Sequence, residues 1–291
     1  MDGKQFAALQ HQTSYTISVG PPSQADGGTL FSTNKSDGLG LAWLPDGRLL
    51  SQDSRSRFWL TATDGKDRVM AFDARGDVWS GDFSICGGAS FMVLARMSGG
   101  IWRVDTTGKD FQAVSRSKLD LHPDCSPDGN WIVYSSGSEK GFSLTKVSVS
   151  GGSPENLSER PFPRVVGRYS PDGKKVGLLM AEGEPSNMHT KLAVMDSRTG
   201  SVERTFEIPS GGLPANVRGG LRWTSDGQEL TFPLVLAGTT NLWIQSVSGG
   251  PPRQLTHSGH IVSFAWSPDG KRLAVTRATT SSDLVLFSNF H

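Results

Sequence analysis

Apolar residues in this chain fall in short alternating or continuous runs, each closed by turn formers. Arg272-Leu273-Ala274-Val275, Trp131-Ile132-Val133-Tyr134 and Phe91-Met92-Val93-Leu94 are such runs, and each follows a glycine-bearing turn directly. Runs of this length, bounded by Gly, Pro, Asp and Ser, predict strands. A further strand is predicted at 241–247, followed by a GlyGly turn and a short strand at 253–256. No stretch keeps a helical period of apolar residues over the length a helix needs, so the predicted class is all-β.

The turns repeat one phrase. TrpLeuProAspGly ends at Gly47, CysSerProAspGly at Gly129, TyrSerProAspGly at Gly173, TrpThrSerAspGly at Gly227 and TrpSerProAspGly at Gly270. Proline presets φ, aspartate bonds the backbone beyond it, and glycine takes the positive φ that a tight hairpin needs. Two weaker copies, Asp2-Gly3 and Ser84 through Gly88, extend the series, so the turn glycines stand at intervals of 44, 41, 41, 44, 54 and 43 residues. That period belongs to a four-stranded propeller blade, a unit that buries its apolar face only against its neighbours. Seven glycines predict a seven-bladed β-propeller over 1–291, the first blade lacking its innermost strand and the last ending after its third. A six-bladed ring with residues 1 to about 25 as an N-terminal overhang is the alternative.

The repeats resemble the Pro-Asp-Gly propeller repeats of the TolB-like group. The order of variants is most similar to the C-terminal propeller of bacterial Ser/Thr protein kinases and winged-helix regulators. The segments that carry this are Gly40 through Gly47, Gly100 through Asp105, His122 through Tyr134 and Phe264 through Phe290. The resemblance implies fold more than activity, because such propellers host unrelated functions. Kinase signatures are missing, so it implies a sensor, scaffold or docking part of a signalling protein. The chain begins inside a repeat, which leads us to expect further sequence upstream.

Composition narrows the partners. Lys and Arg number 29 against 28 Asp and Glu, a formal charge of +1, which argues against nucleic acid as the main partner. The apolar runs are too short to span a bilayer as helices. The first residues lack the basic start and apolar core of a signal peptide. The compartment stays open: periplasmic or extracellular if the chain is the sensor of a membrane kinase, cytoplasmic otherwise.

Candidate chemistry is sparse. Cys86 and Cys125 fall near the ends of innermost strands in adjacent blades, which we expect to splay apart around the axis, so both are expected as free thiols. Trp43, Trp223 and Trp266 share one repeat position and suit packing between blades. No histidine pair has metal-ligand spacing, there is no GlyXaaSerXaaGly elbow, and neither catalytic residues nor a metal or other cofactor is assigned. The aspartates of the repeats are turn residues. Excess length in the 173–227 interval falls at 181–190 and 209–218, on the face opposite the hairpins. There the innermost strands begin near His122, Arg164, Arg168, Arg218 and His260, which predicts a basic axial mouth. The expected partner is a protein, a peptide or a small anionic ligand, with Arg168 and Arg218 as anchors whose loss would spare stability. A propeller lyase or hydrolase acting at the same mouth is the alternative.

Overall fold

The structure, a computed structural model, describes residues 5–33, 38–62, 64–183, 188–214 and 220–288. The chain opens with a long strand, β1 (Gln5–Gly20), and a short one, β2 (Thr29–Thr33), joined through a 3-10 turn at Pro22–Gln24. Five sheets follow in chain order. The first blade is β3 (Gly40–Trp43), β4 (Leu49–Gln52), β5 (Arg57–Thr61) and β6 (Val69–Asp73). The second is β7 (Val78–Cys86), β8 (Phe91–Arg96), β9 (Ile101–Asp105) and β10 (Gln112–Ala113). The third is β11 (Asp120–Cys125), β12 (Trp131–Ser138), β13 (Gly141–Ser148) and β14 (Glu155–Asn156). The fourth is β15 (Arg164–Tyr169), β16 (Lys175–Glu182), β17 (His189–Asp196) and β18 (Val202–Glu207).

In the fifth blade the innermost position is shared by β19 (Leu213–Pro214) and β20 (Arg222–Trp223), both paired to β21 (Glu229–Leu236). Then come β22 (Thr239–Ser246) and β23 (Arg253–Gln254). The sixth blade is built from both ends of the chain. Innermost β24 (Ile261–Trp266) and β25 (Leu273–Ser288) pair with β1 and then β2, in the order β2-β1-β25-β24.

The propeller therefore has six blades, not seven. The N-terminal segment is no overhang either, because β1 runs antiparallel to β25 from Gln5 opposite Ser288 to Gly20 opposite Leu273. What reads as the start of an extra blade supplies the third and fourth strands of the last one. This pairing satisfies the edge of β25, which would otherwise be left open. The segment expected as a separate terminal strand continues β25 without a break. Gly3 lies outside the described residues.

The hairpins form as their sequence requires. Each closes with a hydrogen bond from the glycine N–H to the carbonyl three residues before it, as in Gly129 to Ser126 and Gly270 to Ser267, both at 2.9 Å. The aspartate accepts the backbone N–H two residues on, as Asp172 does from Lys174 at 3.1 Å. All five described ProAspGly or SerAspGly hairpins join an innermost strand to its neighbour, so they share one face of the ring. Between blades the apolar faces interlock: Val133 and Leu144 of the third blade pack with Val165, Tyr169 and Val176 of the fourth. Trp43 and Trp223 anchor such interfaces by donating Nε1–H to the carbonyls of Ala265 and Arg168, at 3.0 and 2.9 Å.

One expectation about chemistry is overturned. Cys86 and Cys125 form a disulfide, with Cα atoms 5.5 Å apart. They occupy equivalent ladder positions, Cys86 opposite Phe91 and Cys125 opposite Ile132, where other blades carry Trp43, Tyr169, Trp223 and Trp266. Innermost strands of neighbouring blades do not splay at this level, and two short side chains meet where a ring packs elsewhere. Both cysteines lie in the apolar interface of the second and third blades.

Candidate functional site

The innermost strands bring charged side chains together around the axis in four consecutive blades. Residues with left-handed backbone precede innermost strands or lie inside them: Gly38 before β3, Gly81 inside β7, His122 inside β11 and His260 before β24. Gly220 does the same before β20. Ladder register shifts accompany this in β7, β11 and β24, so each of those strands carries a bulge that re-aims the next side chains. Histidine tolerates this backbone better than most side chains.

At the second blade the bulge turns Asp82 inward, where it is buried. Its carboxylate accepts the backbone N–H of His122 at 2.9 Å and faces His122 Nδ1 at 3.1 Å. In the third blade Asp124 takes the Ser84 hydroxyl at 2.8 Å and the Tyr169 N–H at 2.9 Å, tying three innermost strands together. Arg168 of the fourth blade is buried and donates from Nη1 to the carbonyls of His122 and Pro123, at 3.0 and 3.1 Å. Arg222 of the fifth blade, partly exposed, donates to the Leu221 carbonyl at 3.0 Å. On the other side, buried Gln52 accepts the Gly81 N–H at 2.6 Å.

The electrostatics show that these groups share one field. Burial would raise the Asp82 carboxyl, yet the charge and hydrogen bonds of His122, with the charge of Arg168, hold it below the ordinary carboxylate value. Burial works against the charge of Arg164, and Asp82 offsets part of that. For Arg222, burial and then the neighbouring charge of Arg168 push the pKa down to about 9, against the pull of Asp124 and Asp82. A guanidinium resists deprotonation at neutral pH, so the shift records mainly the cost of burying this charge, with repulsion from Arg168 second. Three arginines and a histidine thus lie near two carboxylates in this part of the wall.

The expected site residues fare unequally. His122, Arg164 and Arg168 all lie within the field of Asp82. Arg168, however, is a structural member of the wall, so its replacement would not spare stability. His260 is exposed at the start of β24, where its carbonyl accepts the Ala278 N–H at 3.0 Å, and it takes no part in the bonds described above. Arg218 lies outside the described residues, as do residues 184–187 and 215–217 of the two long insertions. Asp82, Asp124 and Arg222 are additions. Asp124 and Arg222 stand at the repeat position of Arg168, directly before the Cys, Trp or Tyr of the turn phrase, so comparison of repeats could have found them. Asp82 sits beyond a bulge and carries no such signal. Among the described residues no group of three or more His, Cys, Asp or Glu has the arrangement of a metal site. No helix there is long and apolar enough to cross a membrane.

No family model matches the sequence. An uncharacterised protein of Agrobacterium fabrum is 25% identical over 248 residues, 79% of this chain and 81% of that protein. The uncharacterised peptidase YuxL of Bacillus subtilis is 28% identical over 186 residues, 63% of this chain but only 26% of the peptidase. Among solved structures, a protein of Agrobacterium tumefaciens assigned as TolB superposes with a TM-score of 0.72 at 17% identity, over 92% of this chain and 99% of that one. TolB of Acinetobacter baumannii gives 0.58 at 14% identity, over 92% and 66%. An oligogalacturonate lyase in complex with manganese gives 0.57 at 13%, over 92% and 77%. Likeness at these identities speaks to the fold alone: this chain is a six-bladed β-propeller, similar in fold to the TolB structures.

Proposed function

We propose that this chain is a binding propeller that takes a carboxylate-bearing ligand, an acidic peptide or a small anion, at the axial mouth formed by β7, β11, β15 and β20. The observation that carries this reading is the convergence of Arg164, Arg168 and Arg222 in one electrostatic field with Asp82 and Asp124. Arg168 is buried in the wall, whereas Arg164 and Arg222 are both partly exposed and are the anchors in this reading. The finer resemblance, to propellers that follow kinase or winged-helix domains, would make this the sensor or scaffold part of a signalling protein. The Cys86–Cys125 bridge favours an oxidising compartment for it, periplasmic or extracellular.

A second reading has one observation in its favour. The Asp82 carboxylate orients the His122 ring, as a general base requires, and arginines stand nearby to hold an anionic substrate. Lyase and peptidase relatives keep this alternative in view, although the peptidase match spans a quarter of that protein.

Fluorescence anisotropy of a labelled hexaglutamate peptide at low ionic strength tests the binding reading. Binding should weaken at least about tenfold in Arg222→Gln and fall with salt. Affinity equal to that of the parent protein would remove Arg222 from the site, and cleavage of an acidic polysaccharide that depends on His122 would favour the enzyme.

A further inference from the structure

A second cavity, of about 570 Å³, opens on the hairpin face between the third and fourth blades, away from the axial arginines. Its size falls within the range of small-molecule pockets. The third blade contributes Pro127, Asp128, Trp131 and Lys146, and the fourth contributes Lys174 and Arg198.

Trp131 is out of place by the logic of the repeat. The residue whose carbonyl closes the hairpin is Arg48, Lys175, Glu229 or Arg272 in four blades and Trp131 in the third. Those four side chains are charged and suit solvent; the indole is 37% exposed. The packing tryptophans spend their N–H groups on Ala265, Arg168 and Thr231. Trp131 engages its indole N–H with no partner among the described residues, while the Lys146 ammonium lies 4.7 Å from its ring centre. An exposed indole with a spare donor is a platform for a ring.

The polar lining alternates donors and acceptors. Asp128, Asp172 and Asp196 are fixed by their own turns, for example Asp196 by the N–H of Thr199 at 2.7 Å, and each carboxylate keeps further lone pairs. Lys174 and Arg198 close no ion pair among the described residues. The two turns that carry them are tied together, the Ser197 N–H to the Lys174 carbonyl at 3.0 Å and the Ser197 hydroxyl to the Gly173 carbonyl at 2.7 Å. Lys146 already pairs with Glu155 at 3.6 Å, so Lys174 and Arg198 stand beside three carboxylates and the cavity does not select an anion. The corresponding groove between the fifth and sixth blades lacks this character, because Glu229 stands where Trp131 does and pairs with Arg253 at 3.2 Å.

We propose that this cavity binds a carbohydrate, a hexose unit lying against Trp131 with its hydroxyls donating to the turn carboxylates and accepting from Lys174 and Arg198. A half-exposed indole, with Lys146 near one part of its ring and fixed donors and acceptors around it, without excess positive charge, fits a hydroxylated neutral ring better than a polyanion.

The test is a titration of the ¹⁵N-labelled protein with methyl glucoside, galactoside and mannoside, following the Trp131 indole N–H, assigned through Trp131→Phe. At least one glycoside should shift it saturably in the millimolar range. The shift of nearby backbone resonances should weaken at least about tenfold in Trp131→Ala and in Arg198→Ala, and stay unchanged in Arg222→Gln. No saturable shift with any of the three overturns the proposal. So does binding that survives both variants, or tighter binding of benzoate than of every glycoside.

Discussion

The disulfide between Cys86 and Cys125 joins the innermost strands of two neighbouring blades at the level where four other blades place a tryptophan or tyrosine. Aromatic packing holds blades together through buried area; this bridge does it covalently, across a separation of 39 residues. In the chain-entropy account a loop of that length restricts the unfolded state by about 4 kcal/mol.

Alkylation without reductant should therefore modify neither cysteine, and alkylation after reduction and unfolding should modify both. The double variant Cys86→Ser/Cys125→Ser should unfold at a lower temperature, by several degrees. Mass spectrometry that finds both thiols labelled before reduction would show that the bridge is not formed.

The ring is latched by Asp26, which follows the 3-10 turn of the N-terminal segment. Its carboxylate accepts the N–H groups of His257 and Ser258, at 2.8 and 3.1 Å, and pairs with Arg277 at 3.1 Å. Burial alone would raise its pKa, but the Ser258 hydroxyl, these amides and Arg277 hold it below the ordinary carboxylate value. A carboxyl depressed in the folded state contributes stability that is present above its unfolded pKa and lost as pH falls through the folded value. Stability should thus drop below about pH 4, with a share from this latch on the order of 1 kcal/mol after solvent screening. Urea unfolding of Asp26→Asn should show a loss of that size at pH 7 and a flatter profile below pH 4. A variant with the parent's acid profile would assign the latch to other groups.

Much of this architecture is legible in the chain because its causes are local. ProAspGly hairpins, the strands that flank them and the period of the repeat each depend on a few adjacent residues. Blade number depends instead on β1 meeting β25, a pairing between residues such as Gln5 and Ser288 that no local pattern encodes. The weak Asp2-Gly3 phrase imitates a repeat, while the strand after it completes an existing blade. The Cys86–Cys125 contact is of the same kind: register places both residues directly before their hairpins, but the distance between blades is a tertiary quantity. Of the charges along the axis, His122 and Arg164 lie toward strand starts as the sequence suggested, whereas Arg168 sits at the other end of β15, directly before Tyr169. Asp82 could not be read from the sequence, since a bulge at Gly81 decides where it points.

Close approach of backbones at the axis gives the last prediction. Gly40 of β3 has no need of a positive φ, so its lack of a side chain answers to space alone. A Cβ there would stand 2.6 Å from the Gly81 Cα and 2.6 Å from the Phe83 ring. Neither neighbour can yield: Gly81 is held by Gln52, and Phe83 is buried in the interface of the first and second blades. Gly40→Ala should therefore force the two innermost strands apart and destabilise the protein by about 1–3 kcal/mol. Gly27→Ala makes the matched control, because its added Cβ meets nothing within 4 Å, and its stability should stay within about 0.5 kcal/mol of the parent or rise slightly. Chemical denaturation of the pair decides the point: equal midpoints for Gly40→Ala and Gly27→Ala would mean that the first two blades do not meet at this contact.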